Sequence, residues 1–491
     1  MKHHRSLRIS SLSPHGRNVL LLFVVLLPLF FGRLSDLRLP MWDDLTHAAM
    51  GKEILVTGDW FTMHSNGAPS WIKPPLYFWL EAGIFSLFGA SEYGARFPAA
   101  LCGYLCAILI YLLTRRLFGR RTAFLAILVT ATSFLLIKYS RRAMIDVPVA
   151  FATTLGMYAL VRAEKRSPFF LLYGLAIALG YYFKAIQGLY LALIGPAYLL
   201  VSGQWRRLAG PWFLAANAGA ACLIALWVVP QFLTNGDAFL SSQSALGPLL
   251  SRGLTDEPAR LFEPFLSLFR VFWPWVPLSA AGLIALARTR PRSRETQLLF
   301  CWFFPVMAVL CASRSYFQRY LLPVVPVLII AAAFALSGLL SRRRFSRVYR
   351  QAVVGAGVAV ILLQILPIPL DNRGTNQIAV FQTMRHLTKA SDQIVLFKGN
   401  HWTVGQGLSF YADRLLSRHF DDAGKAARFL DAARSGVYGI ANATDYEELQ
   451  GRLGNALVER ARPDGYVIFQ APPARRADGP AAAAVSAGRP Q

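Results

Sequence analysis

Residues 42–98 read WDDLTHAAMGKEILVTGDWFTMHSNGAPSWIKPPLYFWLEAGIFSLFGASEYGARFP. The stretch follows one long apolar run, from Val19 to Phe31, and precedes another. It carries an acidic pair, Asp43 and Asp44, and a Lys73-Pro74-Pro75 turn. Carboxylates and an ammonium are expensive beside hydrocarbon, so their presence between two apolar runs points to chemistry at a lipid surface.

The rest of the chain fits that setting. Of 491 residues, 55% are hydrophobic and only 16% charged, against about 25% charged in soluble domains. The mean hydropathy is +0.41, and apolar runs recur from residue 19 to residue 369. Many approach the roughly 20 residues needed to cross a bilayer. The net charge of +25 does not indicate nucleic acid. The basic residues sit in short segments between apolar runs, which is the positive-inside pattern. The five cysteines (Cys102, Cys106, Cys222, Cys301, Cys311) all fall within apolar runs and read as small buried hydrophobes, not as a metal site or disulfide framework.

Placing the basic segments in the cytoplasm predicts an all-α polytopic protein of about eleven membrane helices. They are expected near 18–32, 95–114, 122–138, 147–162, 168–183, 188–202, 211–231, 265–287, 297–312, 320–339 and 351–369. The first is read as an uncleaved helix, because no small-residue cleavage site follows it. The N terminus is then cytoplasmic, and residues 33–94 form the first outer loop. Within that loop 75–89 is apolar but short and holds Glu81, so it is expected to lie as an interfacial or re-entrant helix. The membrane domain covers 1–370. Residues 371–470 change character: short apolar runs (394–399, 465–469) separate polar helical stretches (376–390, 421–434, 444–460), which predicts a small α/β domain on the outer side. The tail, 471–491, is Ala-, Pro-, Gly- and Arg-rich and expected to be disordered.

The outer turns hold the candidate site. Asp43 and Asp44 follow the first helix, and a carboxylate near a low-dielectric boundary is suited to accept a proton from a hydroxyl nucleophile. His47 lies one turn on. Pro74 and Pro75 stiffen the chain after Lys73, whose natural partner is phosphate. Asp146 follows Arg141 and Arg142, and pairing with Arg142 four residues earlier is one reading; a second acidic site residue is the other. Lys184 interrupts two apolar halves. Arg314, Tyr316, Arg319 and Tyr320 crowd another outer turn, where guanidiniums run against the charge bias and call for an anionic lipid head group. Acids beside several cations suit transfer of a group away from a lipid phosphate.

WDDLTHA, GDWFTMHSNGAPSWIKPPLYFWL and FGASEYGARFPAAL together resemble the signature of the bacterial aminoarabinose transferase and protein O-mannosyltransferase superfamily, whose members are glycosyltransferases of the GT-C fold. SRRAMIDVPVAF, FKAIQGLYL, PWVPL and SYFQRYLLPVVPVL resemble later family segments, and the likeness spans roughly residues 15–370. The resemblance implies a polyprenyl-phosphate-linked sugar donor, inverting transfer to a hydroxyl on the periplasmic face, and a location in the inner membrane. It gives Asp43 the place of the catalytic acid of the first outer loop, Lys73 that of the KPP lysine, Asp146 that of the second-loop acid and Lys184 that of the lysine beside the lipid phosphate. Asp43 and Asp146 are thus the catalytic candidates. Asp44, His47, Lys73, Arg141, Arg142, Lys184, Arg314, Tyr316, Arg319 and Tyr320 are the substrate-binding ones.

Three positions depart from the family pattern. Asp44 stands where Glu is usual, His47 where Tyr is usual, and Ile72 where aminoarabinose transferases carry a metal-holding Glu. The outer loop 232–264, which includes SSQSALGP, lacks that subgroup's histidine. No metal site and no required cofactor are therefore expected, with a divalent cation left open. The expected partners are the sugar lipid, the bilayer and an acceptor hydroxyl on a lipid A-like glycolipid, a glycan or a protein, with the protein itself a monomer. Two other readings use the same residues: a transporter or flippase of a lipid-linked anion, and an inactive scaffold whose outer domain binds partners.

Overall fold

The computed structural model describes residues 14–36, 38–40, 43–244, 261–289, 293–313, 316–340, 377–433, 436–453 and 456–471, with isolated positions at 344, 347, 348, 351 and 355. The chain divides into two compact units, Met1–Asn372 and Arg373–Gln491. The expected span at 351–369, apart from positions 351 and 355, Arg314 and the tail beyond Ala471 lie outside the described residues.

The first unit is helical. Helix α1 (Pro14–Phe31) leads to α2 (Asp43–Thr57), a two-residue hairpin pair, β1 (His64–Ser65) and β2 (Ala68–Pro69), and then α3 (Leu76–Phe88). Pro74 and Pro75 sit just before α3, where a missing N–H costs nothing. The long α4 (Glu92–Ala131) starts from Ser91, whose side chain accepts from the Gly94 N–H. It is followed by α5 (Phe134–Ser140), α6 (Asp146–Ala163), α7 (Phe169–Lys184), α8 (Tyr190–Val201) and α9 (Pro211–Ser244). Then come α10 (Glu263–Val271), α11 (Trp275–Thr289), α12 (Arg294–Ala312) and α13 (Val325–Leu339). Helix α4 packs on α6 and α13, α6 on α7, α7 on α9, and α11 on α13. One continuous core runs through them, with Trp302, Phe124 and Tyr173 fully buried.

Four helices among the described residues are long and apolar enough to cross a membrane: α4, α7 with its following turn, α9 and α12. A fifth arises if α10 and α11 count as one span, but they are bent 119° from each other. That corrects the single helix expected at 265–287. The run is apolar apart from Arg270 and two serines, and the Phe272-Trp273-Pro274 break, invisible to hydropathy, divides it. The basic stretch 115–121 also differs from an expected open loop. Arg115 and Arg116 are helical, since Arg is a good helix former, and the chain breaks only at Gly119 with φ 85°. Helices α3, α8 and α13 are apolar but shorter, at 10–17 residues.

The second unit is a five-stranded sheet of order β4-β3-β5-β7-β6 with helices between strands. Strand β3 (Gln393–Phe397) pairs in parallel with β4 (Arg418–Phe420) and β5 (Val437–Asn442). Strand β7 (Tyr466–Ala471) is antiparallel to β5 and to β6 (Val458–Ala461). Helices α14 (Ile378–Leu387), α15 (His401–Gly407), α16 (Ala423–Asp431) and α17 (Ala443–Leu453) complete it. The helix expected over 444–460 therefore ends at Leu453, and Val458–Ala461 is strand. Its partner β7 supplies pairing that no local pattern shows.

Candidate active site

Helix α2 builds the site from below. Asp44 and His47, three residues apart, lie on one face of α2, and both grip Ala143. The Ala143 N–H donates to Asp44 Oδ1 at 3.1 Å, and the Ala143 carbonyl accepts from His47 Nδ1 at 2.7 Å. Asp44 is fully buried and also accepts from Arg142, by Nη2 at 2.6 Å and Nε at 3.1 Å. Arg141 donates to the Leu29 and Gly32 carbonyls at 2.8 and 2.7 Å, tying this turn to the end of α1. Breaking such a buried ion pair costs about 3–5 kcal/mol. Asp44, Arg141 and Arg142, expected to bind substrate, are thus each engaged by other groups of the fold. Arg142 pairs with Asp44, not with Asp146, because residues 141–145 form a turn and not a helix.

That turn delivers Asp146 to the first residue of α6. Its side chain is 3% exposed and pairs with Lys184 Nζ and, at 3.4 Å, with Arg319 Nε. Lys184 is the last residue of α7. The chain folds back tightly there: a Cβ on Gly180 would lie 2.2 Å from the Gly188 carbonyl oxygen, so only glycine permits the approach. The next residue, Ala185, is held at φ 47°, a strained conformation for a residue with a Cβ. Lys184 Nζ lies 3.8 Å from the centre of the Tyr320 ring. A small pocket here is lined by Asp146, Val149, Lys184, Gln187, Tyr190 and Tyr320.

Arg319 bridges the two carboxylates. Its Nη2 is 2.7 Å from Asp43 Oδ2. Asp43 opens α2 with 38% of its side chain exposed, and Lys73 Nζ lies 3.9 Å from its other oxygen. Lys73 Nζ is also 2.7 Å from His47 Nε2. So Asp43, Lys73, Asp146, Lys184 and Arg319, from separate elements, form one cluster with three cations against two carboxylates. Burial would raise the Asp43 carboxyl, but the positive charges around it, Lys73 first, then His47 when protonated, Arg319 and Lys184, outweigh it and hold it at about 2. Burial, then the Lys73 ammonium, depress His47 to about 3. Burial also lowers Lys73, with Asp43 opposing.

His47, expected against substrate, is 1% exposed and in contact with Lys73. Tyr316 packs against the core with its hydroxyl buried beside Ser267. Asp146, expected as catalytic, lies beneath its two cations, and Asp43 is the more open acid. Tyr190 and the Ala143 peptide were not legible in advance: one lies in an apolar helix, the other contributes only backbone. Glu81 was noted only as a charge in an apolar segment. It is fully buried against Gly51, with neither oxygen hydrogen-bonded, and burial raises its carboxyl well above the usual range. Among the described residues no three His, Cys, Asp or Glu side chains are placed to hold a metal ion, and Ile72 is an exposed hydrocarbon beside Lys73.

The neutral buried His47 gives a stability signature. In the unfolded chain it titrates near 6.5, in the folded one near 3. Between those values the unfolded chain binds a proton that the folded chain does not, so stability is complete above 6.5 and falls as pH drops through the window. Asp43 adds the same sign only below 3.8. Thermal or denaturant unfolding between pH 6 and 4 should lose about 1 kcal/mol per pH unit, and His47→Gln should flatten that slope. An equally steep slope in the variant would assign the loss elsewhere.

Residues 72–229 match the family described as dolichyl-phosphate-mannose-protein mannosyltransferase. A Pseudomonas aeruginosa undecaprenyl phosphate-alpha-4-amino-4-deoxy-L-arabinose arabinosyl transferase is 26% identical over 354 residues, 68% of this chain and 62% of that one. An uncharacterized Aquifex aeolicus protein is 26% identical over 330 residues, 65% of this chain and 63% of its own. The chain thus matches somewhat under two thirds of the length of these relatives. In three dimensions, ArnT from Cupriavidus metallidurans bound to undecaprenyl phosphate superposes with a TM-score of 0.75 over 93% of this chain and 98% of that one, at 18% identity. The chain is thus similar in sequence to polyprenyl-phosphate sugar transferases and shares the fold of ArnT. The matched region, residues 72–229, holds Lys73, Asp146 and Lys184 of the cluster.

Proposed function

We propose that the protein is a membrane glycosyltransferase that moves a sugar from a polyprenyl-phosphate donor to a hydroxyl acceptor at the outer membrane face. The observation that carries this reading is the five-residue cluster: three cations, two carboxylates, and only Asp43 substantially open. The surplus positive charge suits a lipid phosphate, which Lys73, Lys184 and Arg319 would neutralise as it leaves. Asp43, ionised at neutral pH, takes the acceptor proton. The acceptor oxygen bonds to the anomeric carbon, the anomeric carbon–phosphate oxygen bond breaks, and the phosphate keeps that electron pair. Because Asp43 is a weak base, proton transfer belongs late, when the oxocarbenium-like centre has acidified the hydroxyl. Attack opposite the phosphate makes the transfer inverting. Asp146 arranges Lys184 and Arg319.

A relative that acts as an undecaprenyl-phosphate sugar transferase and a neighbouring fold solved with undecaprenyl phosphate support the donor class. Charged groups at helix ends, not at mid-helix, weigh against a transporter. The finer topology belongs to this proposal: about eleven membrane helices in the inner membrane, a cytoplasmic N terminus, and residues 371–470 in the periplasm. Purified protein in liposomes, supplied with the polyprenyl-phosphate sugars and glycoconjugates of a deletion strain, should release polyprenyl phosphate and restore one glycoconjugate missing from that strain. In right-side-out vesicles a cysteine at Arg120 should resist impermeant labelling. Lipid translocation without release of polyprenyl phosphate would favour the transporter and sink the transferase.

A further inference from the structure

Lys73 has a problem that its prolines do not solve. Pro74 and Pro75 fix the backbone, but the ammonium ends a four-carbon stem with free rotors. Something must hold it if it is to meet a phosphate in one place. His47 is in contact with it at 2.7 Å, and the rest of the fold dictates how that contact is made. A carbonyl oxygen only accepts, so the 2.7 Å contact to Ala143 places the ring proton on Nδ1. Nε2 then carries a lone pair, and an ammonium, which only donates, is its matching partner. The ring lies 5.7 Å from Tyr77 and 5.9 Å from Phe78, centre to centre, and is 1% exposed, so it is packed in place. Ala143 is itself fixed through its N–H by Asp44.

We propose that His47 is a positioning residue for Lys73: Nε2 accepts one of the three ammonium protons and leaves the other two aimed at Asp43 and at the donor phosphate. The inference rests on the reading of Lys73 as a phosphate clamp. It also explains how one imidazole ties the Lys73 turn to the segment that carries Asp146, three residues after Ala143. His47 touches no substrate in this account and takes no proton during transfer.

Two amide substitutions separate this role from a purely structural one. In His47→Asn the Nδ2 keeps the donation to Ala143 but the side chain is too short for Lys73. In His47→Gln the longer amide places an acceptor oxygen near the Nε2 position. The full-length protein in lipid nanodiscs is read two ways: the rate of reductive methylation of Lys73 by mass spectrometry, and binding of undecaprenyl phosphate. H47N should label Lys73 several-fold faster than the parent and bind undecaprenyl phosphate about tenfold more weakly. H47Q should stay within about threefold of the parent on both. In a Lys73→Ala background H47N should add no further loss. Parent-like Lys73 labelling in H47N, or losses that add in the Lys73→Ala background, would overturn the proposal. If the parent itself binds no undecaprenyl phosphate, the donor reading fails, while faster Lys73 labelling in H47N still supports the pairing and unchanged labelling refutes it.

Discussion

Asp43→Asn should lower the rate of sugar transfer by roughly 10²–10⁴-fold, the range for loss of a general base, while undecaprenyl phosphate binds at least as tightly as in the parent. The amide is isosteric with the carboxylate, and the site is partly open, so the fold should tolerate it. Arg319 loses its 2.7 Å partner but keeps Asp146, and Lys73 keeps His47. The Asp43 charge would repel an incoming phosphate. Removing it frees two cations for the donor, so KM for the donor should hold or fall as kcat collapses. A loss confined to donor affinity, with kcat intact, would make Asp43 an organiser of the cations and not the base. Undiminished turnover would remove it from the mechanism. Asp43 stays ionised down to about pH 2, so no acid limb of the parent's pH–rate profile above pH 4 should be attributable to it.

Asp43, Lys73, Asp146 and Lys184 were readable as candidates because charge near hydrocarbon is conspicuous and each lay in a segment that joins apolar runs. What the sequence could not reveal was which charges face each other. Asp44 adjoins Asp43 and looks equivalent, yet the step of about 100° between neighbouring helical residues puts Asp43 on the open side of α2 and Asp44 under Arg142 and the Ala143 N–H. Arg319, one of four candidates in its turn, proved to be the bridge between both acids, a fact fixed only by the packing of α12, α13 and α6. The fold shows the same division. Apolar runs marked helices well at 168–183 and 211–231, whereas the 119° bend near Pro274 and the Gly119 break depend on single positions that hydropathy averages away. In the second unit, β5 reads VYGIAN, too short and mixed to announce itself. It is a strand because β3 and β7 flank it.

Asp146→Asn should cost stability as well as activity, and a second substitution should return part of the stability without the activity. Asp146 is 3% exposed and is shared by Lys184 and Arg319. Its amide would leave two cations side by side in a poorly solvated site, a loss on the order of 3–5 kcal/mol for a broken buried ion pair. Lys184→Met should cost less, because Arg319 remains 3.4 Å from the carboxylate. In the double variant both charges are gone, Arg319 retains Asp43, and the combined loss should fall short of the summed singles by about 1–3 kcal/mol. Denaturant unfolding of the four proteins in the same lipid mixture measures this coupling. Transfer should remain abolished in the double variant, since no ammonium at position 184 is left to neutralise the leaving phosphate. Strictly additive losses would mean that the Lys184–Asp146 contact contributes nothing, and recovered transfer in the double variant would mean that Lys184 serves only to neutralise Asp146. Only the combination of restored stability and absent transfer separates an ion pair that holds the fold from an ammonium that also meets the donor.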